Sequence, residues 1–135
     1  MDPLIPPQTK GQLWTGRFLS TLPVLFLLFD ATLKLIQPQP VVEGTVALGY
    51  SPSVITPLGI TLLICVVLYC IPITRILGAI LLTAYLGGAV ATHVRHGDPV
   101  FSHILFPTYL GAFLWLGLYF RDPALRNFIP LRKPS

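Results

Sequence analysis

The chain has 135 residues, of which 53% are hydrophobic and only 10% are charged. A water-soluble domain carries about 25% charged residues, so this composition excludes a soluble protein with an ordinary hydrated surface. The net charge of +4 does not indicate nucleic-acid binding, because the basic residues stand singly or in a C-terminal group and form no stripe. We therefore predict one integral membrane domain, residues 1–135, embedded in a lipid bilayer and without a nucleic-acid partner.

The N-terminal region predicts a short polar segment followed by a first transmembrane helix. Residues 1–10 are polar and contain proline, and we expect them to be disordered or to lie at the membrane interface. The first span is predicted over residues 13–36. Its apolar run is longer than the core of a signal peptide, it contains Asp30, and no small-residue cleavage site follows it. We interpret it as a retained span.

The connection that follows, residues 37–53, is rich in proline and glycine and has few charges. Seventeen residues make a long loop for so small a protein, and long loops are commonly functional or disordered. The segment is also partly apolar. Two interpretations stay open: it folds back as a lid over the helix ends, or it is an ordinary surface loop.

Three further spans are predicted over residues 53–71, 73–93 and 102–120. Each is close to the roughly 20 residues that cross a bilayer. Pro72 separates the second and third spans by so short a turn that they must be antiparallel neighbours. Small residues in the third span, at the spacings Ala84–Gly88 and Gly87–Ala91, predict close helix packing there. The expected fold class is all-α, a four-helix transmembrane bundle.

The distribution of basic residues predicts the orientation of the bundle. The side that holds both termini would carry seven of them, and the opposite side two. Positive charge concentrates in cytoplasmic loops, so we expect both termini to be cytoplasmic. The first group comprises Lys10, Arg17, Arg75, Arg121, Arg126, Arg132 and Lys133, and the second comprises Lys34 and Arg95.

Polar residues inside or beside the spans gather at the side opposite the termini. Asp30 lies about 9 Å inside the first span at 1.5 Å per residue, and Lys34 is one helical turn further out. An isolated carboxylate at such a position costs about 2.5–3.5 kcal/mol, so Asp30 should face the bundle interior or a wet pocket. The same rim holds Glu43, Tyr50, His93, Arg95, His96, Asp98 and His103.

Three interpretations of this rim stay open. In the first, Asp30, Lys34, His93 and Arg95 line a pocket for a small molecule or a quinone head group, in which histidine exchanges protons. In the second, His93, His96, His103 and Asp98 bind a metal, although no metal-binding signature supports this and we predict no metal. In the third, all these groups are structural.

Two segments resemble the DoxX-like membrane proteins. GRFLSTLPVLFLLFDATLKL (residues 16–35) is similar to the first span of that family, and LGGAVATHVRHGDPVFSHILFP (residues 86–107) is similar to its third span, outer loop and the start of its fourth span. The resemblance covers about residues 11–132. It implies a four-helix bundle in a bacterial inner membrane, some of whose relatives are membrane partners in redox systems that deliver electrons to quinone. The matching polar positions are Arg17, Asp30, Lys34, His93 and Arg95.

The leading functional hypothesis is therefore a subunit or accessory of a quinone-linked membrane oxidoreductase system with an outward-facing polar pocket. The cofactor is unknown, with quinone the candidate, and the expected partners are a redox protein and further copies of the chain. The sequence leaves open whether the chain is an enzyme. The alternative is a non-enzymatic assembly partner, or a protein that binds or conducts small solutes. Candidate ligand-binding residues are Asp30, Lys34, His93, Arg95, His96 and His103.

Overall fold

The computed structural model describes residues 7–129. Within them, four helical stretches are long and apolar enough to cross a membrane. This confirms the predicted all-α, four-helix transmembrane bundle. Residues 1–6, which we expect to be disordered or at the membrane interface, lie outside the described range, and so do Arg132 and Lys133. The α-helices of the described residues are α1 (Lys10–Ile36), α2 (Gln39–Ala47), α3 (Ile55–Cys70), α4 (Arg75–His96) and α5 (Phe106–Arg121).

Helix α1 begins three residues before the predicted span because of its N-terminal cap. The Thr9 hydroxyl accepts from the backbone N–H of Gln12 at 3.2 Å, and the Gln12 side chain accepts from the backbone N–H of Thr9 at 3.2 Å. This reciprocal capping box satisfies two backbone donors that a helix start leaves unpaired. The helix ends at Gln37, whose φ of 55° is left-handed, and Pro38 follows. Together they turn the chain sharply at the end of α1.

The segment between the first two spans is partly helical and folds back over the bundle. Residues Gln39–Ala47 form the nine-residue α2, with proline in its first turn, where the missing N–H costs little. Further along, the Tyr50 hydroxyl lies 2.5 Å from the hydroxyl of Thr92 on α4. A 3-10 turn at Pro52–Val54 then leads into α3. The sequence leaves open whether this segment is a lid over the helix ends or an ordinary surface loop, and its folding back onto α4 favours the lid.

Neighbouring transmembrane helices are all antiparallel. Helix α1 packs against α3 and α5, and α4 completes the ring by packing against the same two helices. The Gln8 amide donates to the Phe120 carbonyl at 2.6 Å, which joins the start of α1 to the end of α5. We call this end of the bundle, with the α3–α4 turn, the terminal end. The opposite end, with α2 and the α4–α5 connection, is the loop end.

The bundle buries a compact apolar core and leaves other large apolar side chains outside. Leu27, Leu62, Leu82 and Leu118 are among the buried residues. Outward-facing apolar residues occur along every spanning helix. In a bilayer such residues contact lipid tails, so their exposure needs no partner protein. They include Phe18, Phe29, Ile64, Ile80 and Leu116.

Close helix contacts occur at glycines other than those predicted. A Cβ added at Gly117 of α5 would lie 2.9 Å from the Ser20 nitrogen and 3.0 Å from the Gly16 carbonyl oxygen of α1. At Gly87 and Gly88, by contrast, an added Cβ would meet nothing within 4 Å. The close packing predicted around these two residues of α4 is therefore wrong. Their spacing permits a close approach, but no helix packs there.

We predict that Gly117→Ala lowers the melting temperature of the protein in detergent. The new Cβ would press on the α1 backbone, and overpacking costs about 1–3 kcal/mol. Gly87→Ala is the matched control, because the same change there meets open space. It should leave the melting temperature unchanged or raise it, since alanine favours a helix by up to about 1 kcal/mol over glycine. Equal losses in the two variants would contradict the close α1–α5 crossing.

Candidate ligand-binding site

A cavity of about 480 Å³ lies at the loop end of the bundle. The segment after α2 covers part of it, and α1, α4 and α5 supply most of its walls. The lining is largely apolar and aromatic, with a few polar groups, which is the usual composition of a small-molecule site. Its residues are Phe26, Leu27, Asp30, Lys34, Thr45, Leu48, Tyr50, Leu58, Ala84, Tyr85, Leu86, Gly88, Ala89, Thr92, His93, Phe106, Pro107 and Leu110.

The two charged residues in this lining form an ion pair. The Lys34 ammonium donates to Oδ2 of Asp30, one turn earlier on α1. The Lys34 side chain is 18% exposed and that of Asp30 34% exposed. An ammonium has three donors, so Lys34 has two more than this bond uses. The pair therefore places both a cation and an anion at the wall without leaving an isolated charge among apolar groups.

His93 lies in the last turn of α4 and is held by Asp98. Its Nδ1 is 2.6 Å from Oδ2 of Asp98, and Nδ1 of His96 is 2.7 Å from Oδ1 of the same carboxylate. Gly97, whose φ of 81° is left-handed, ends α4 and turns the chain so that Asp98 faces back toward these rings.

The hydrogen bonds of Asp98 fix the proton arrangement on His93. Bonds from His93 and His96 hold the pKa of the Asp98 carboxyl below its usual value. An ionised carboxylate only accepts hydrogen bonds, so Nδ1 of each imidazole must carry the proton and donate. In neutral His93 this leaves Nε2 as the nitrogen that can accept a proton.

The other predicted rim residues are placed differently. Arg95 and His96 are exposed and do not line the cavity, and His103 lies outside the lining with its ring centroid 6.0 Å from that of His93. Helix α4 continues to His96, three residues past the predicted end. Arg95, two residues after His93, is turned about 200° around the helix and so points away from the cavity. His96 lies one turn after His93 on nearly the same face, where it bonds Asp98 and does not line the cavity. Asp30, Lys34 and His93 are the predicted residues that the cavity brings together.

The structure groups no metal ligands within residues 7–129: no three His, Cys, Asp or Glu side chains there are arranged to hold a metal ion. The Asp98 carboxylate instead accepts hydrogen bonds from His93 and His96. Both cysteines, Cys65 and Cys70, are free thiols.

Several lining residues were not identified from the sequence. Phe26 and Phe106 pack edge to face with centroids 5.1 Å apart, and Tyr85 and Thr92 complete the α4 wall. Apolar and aromatic residues are abundant in every span, so no local signal marks those that border a cavity. Tyr50 was noted on the rim, and its bond to Thr92 shows how the covering segment is held.

A second polar cluster, also missed, is buried at the terminal end. The Tyr69 hydroxyl donates to the Leu114 carbonyl at 2.7 Å, so the Ser20 hydroxyl, 2.8 Å away, must donate to Tyr69. The Arg121 guanidinium lies over the Tyr69 ring at 5.6 Å. Its Nε and Nη2 are buried without a hydrogen-bond partner among residues 7–129. From the sequence, Arg121 is simply a basic residue at the end of the fourth span.

We predict that Asp98→Asn lowers the melting temperature at pH 7, because an amide offers one acceptor oxygen to two imidazoles. The depressed pKa makes the contribution of Asp98 fully present above about pH 4 and lost as the pH falls through that pKa. The difference between wild type and variant should therefore shrink in acid. Glu43→Gln is the control, since Glu43 accepts one exposed bond from Gln39. A difference that is unchanged at low pH would contradict this role.

Residues 18–117 match the DoxX-like family. The match includes Asp30, Lys34, His93 and Arg95, whereas Arg17 lies one residue before it. Curated proteins gave no match, and neither did solved structures. Since the family match spans well over half of the chain, this four-span membrane protein belongs to the DoxX-like family.

Proposed function

We propose that the protein is a subunit or accessory of a quinone-linked membrane oxidoreductase system, and that the loop-end cavity binds the quinone head group. The observation that carries this proposal is the combination within one cavity of an apolar, aromatic lining with Asp30, Lys34 and His93. Its volume of about 480 Å³ falls in the range of about 300–1,000 Å³ that small-molecule sites occupy.

The chemistry of the lining suits a flat ring with carbonyl groups. Phe26, Tyr85 and Phe106 offer aromatic surface to the ring. A quinone carbonyl accepts hydrogen bonds, and the spare N–H groups of Lys34 can donate them. The ion pair with Asp30 keeps that ammonium at the wall.

His93 would handle the proton at this site. Reduction of a quinone to a hydroquinone takes up two electrons and two protons, and oxidation releases them. Because Asp98 holds the Nδ1 proton of His93, Nε2 is free to accept a proton from a hydroquinone hydroxyl or, once protonated, to donate one to a quinone oxygen. The two protons would pass through Nε2 one after the other, with His93 exchanging its proton with water between the two transfers, since its side chain is 24% exposed. The proposal assigns the electrons to a redox partner protein.

We also propose that the loop end faces away from the cytoplasm of a bacterial inner membrane. Within residues 7–129 the terminal end carries five basic residues, whereas the loop end carries Lys34 and Arg95. Basic residues concentrate on the cytoplasmic side. The sequence also assigns Arg132 and Lys133 to the side of the termini, but these two residues lie outside the described range. The five are Lys10, Arg17, Arg75, Arg121 and Arg126.

We predict that the purified protein retains a quinone, detected by solvent extraction and mass spectrometry, and that Asp30→Asn and His93→Ala each weaken its binding by about tenfold or more. His93→Ala removes the imidazole that bonds the quinone oxygen, and Asp30→Asn removes the charge that keeps the Lys34 ammonium in place to donate to it. Loss of one hydrogen bond to a charged group costs about 1.5–3 kcal/mol, which is tenfold or more in affinity. Size-exclusion chromatography in detergent checks that the variants stay folded.

His96→Ala is the matched control for His93→Ala. His96 bonds the same carboxylate, but it does not line the cavity, so this variant should keep its affinity for quinone. Repeated purification without any lipid-soluble redox molecule would contradict the proposal and favour a non-enzymatic binder of small solutes. Variants that merely unfold would favour a structural role for Asp30 and His93.

For the orientation, we predict that a membrane-impermeant maleimide labels Ser51→Cys on intact cells but labels Ala124→Cys only after lysis. Both positions are exposed, the first at the loop end and the second at the terminal end. Cys70→Ser serves as the background, because Cys70 is exposed and Cys65 is buried. The reverse labelling pattern would show that the termini face outward.

A further inference from the structure

A second cavity of about 340 Å³ lies between α4 and α5. We call it the α4–α5 groove. Thr83, Gly87, Thr108 and Ala112 in its lining are exposed, so the groove opens on the side of the bundle that contacts lipid. Its full lining is Thr83, Leu86, Gly87, Val90, Pro107, Thr108, Gly111, Ala112 and Trp115.

The groove adjoins the loop-end cavity. Leu86 and Pro107 belong to the lining of both. Of the next two residues of α4, Gly87 lines the groove and Gly88 lines the cavity. Leu86 and Pro107, both buried, thus form the wall that the cavity and the groove share, so a ligand that occupied both would pass these two side chains.

We propose that the α4–α5 groove holds the hydrocarbon tail of the ligand whose head group occupies the cavity. This inference rests on the proposed function and narrows the ligand to a class: a polar ring that carries a long apolar chain. The cavity would hold the head group of this ligand, and the adjoining groove would let its hydrocarbon tail pass out between α4 and α5.

The groove acts by leaving space for the hydrocarbon tail of the ligand. A hydrocarbon tail gains little by moving from lipid to an apolar groove, because lipid tails are as apolar as the side chains. What the groove provides is a route that avoids a clash while the head group is seated. Gly87 fits this role, because an added Cβ would meet nothing within 4 Å and the missing side chain is not needed for packing.

The test compares two probes that share a head group: decylubiquinone, and 2,3-dimethoxy-5-methyl-1,4-benzoquinone, which has no tail. Binding is followed by quenching of Trp115 fluorescence in a Trp14→Phe background, since Trp115 lines the groove. We expect Gly87→Leu to weaken binding of the tailed probe about tenfold or more through the new clash. The tailless probe should keep its affinity. Gly11→Leu is the matched control, equally open but at the terminal end of α1.

Each other outcome overturns the inference in a distinguishable way. An equal loss for both probes would mean that the new leucine disturbs the head-group cavity. Unchanged affinity for both would mean that the tail takes another route. Failure of both probes to bind the unsubstituted protein would contradict the proposed function, and this inference with it. Unchanged affinity together with loss of a dimer, measured by light scattering, would assign the groove to contact between two copies.

Discussion

The close crossing of α1 and α5 at Gly16 and Gly117 is the contact on which the arrangement of the bundle depends. An added Cβ at Gly16 would lie 2.7 Å from the Gly117 carbonyl oxygen, so neither helix has room for a side chain there. One turn further along, this approach brings Ser20 within reach of Tyr69 on α3, whose hydroxyl continues to α5. Three helices are thereby joined at the terminal end. The cavity of about 480 Å³ lies at the other end, where Phe26 and Phe106 meet.

The two ends of the bundle handle polar groups in different ways. At the loop end, Asp30 and Lys34 neutralise each other at a cavity wall, and Asp98 receives hydrogen bonds from two imidazoles. Each of these groups has a partner and retains some exposure. At the terminal end, the Ser20–Tyr69 chain is buried, and Arg121 rests on an aromatic face. Of these two polar clusters, the one at the loop end therefore offers the accessible charges and exchangeable protons.

The sequence predicted those features that follow from composition and from position along a helix. Four apolar runs define the spans, and antiparallel neighbours bring Asp30, Lys34 and His93 to the same end. Features that depend on helix phase or on distant neighbours were not predictable. Because α4 continues past its expected end, Arg95 is turned to another face, and His96 lies one turn beyond His93, where it bonds Asp98 and does not line the cavity. Gly87 and Gly88 border open space, because spacing within one helix does not say where its neighbours lie. The Ser20–Tyr69 bond joins residues 49 positions apart, so no local pattern could indicate it.

The position of Lys34 one turn after Asp30 has a consequence for biogenesis. Both partners of the ion pair belong to the same helix, so the pair can form as soon as α1 is helical, before α3, α4 or α5 has been synthesised. A separate aspartate and lysine would each add about 2.5–3.5 kcal/mol to the cost of transferring the helix from the translocon into lipid. A preformed pair enters with no net charge. Asp30 and Lys34 therefore need no later helix to neutralise them, whereas Ser20 bonds Tyr69 only after α3 has been synthesised.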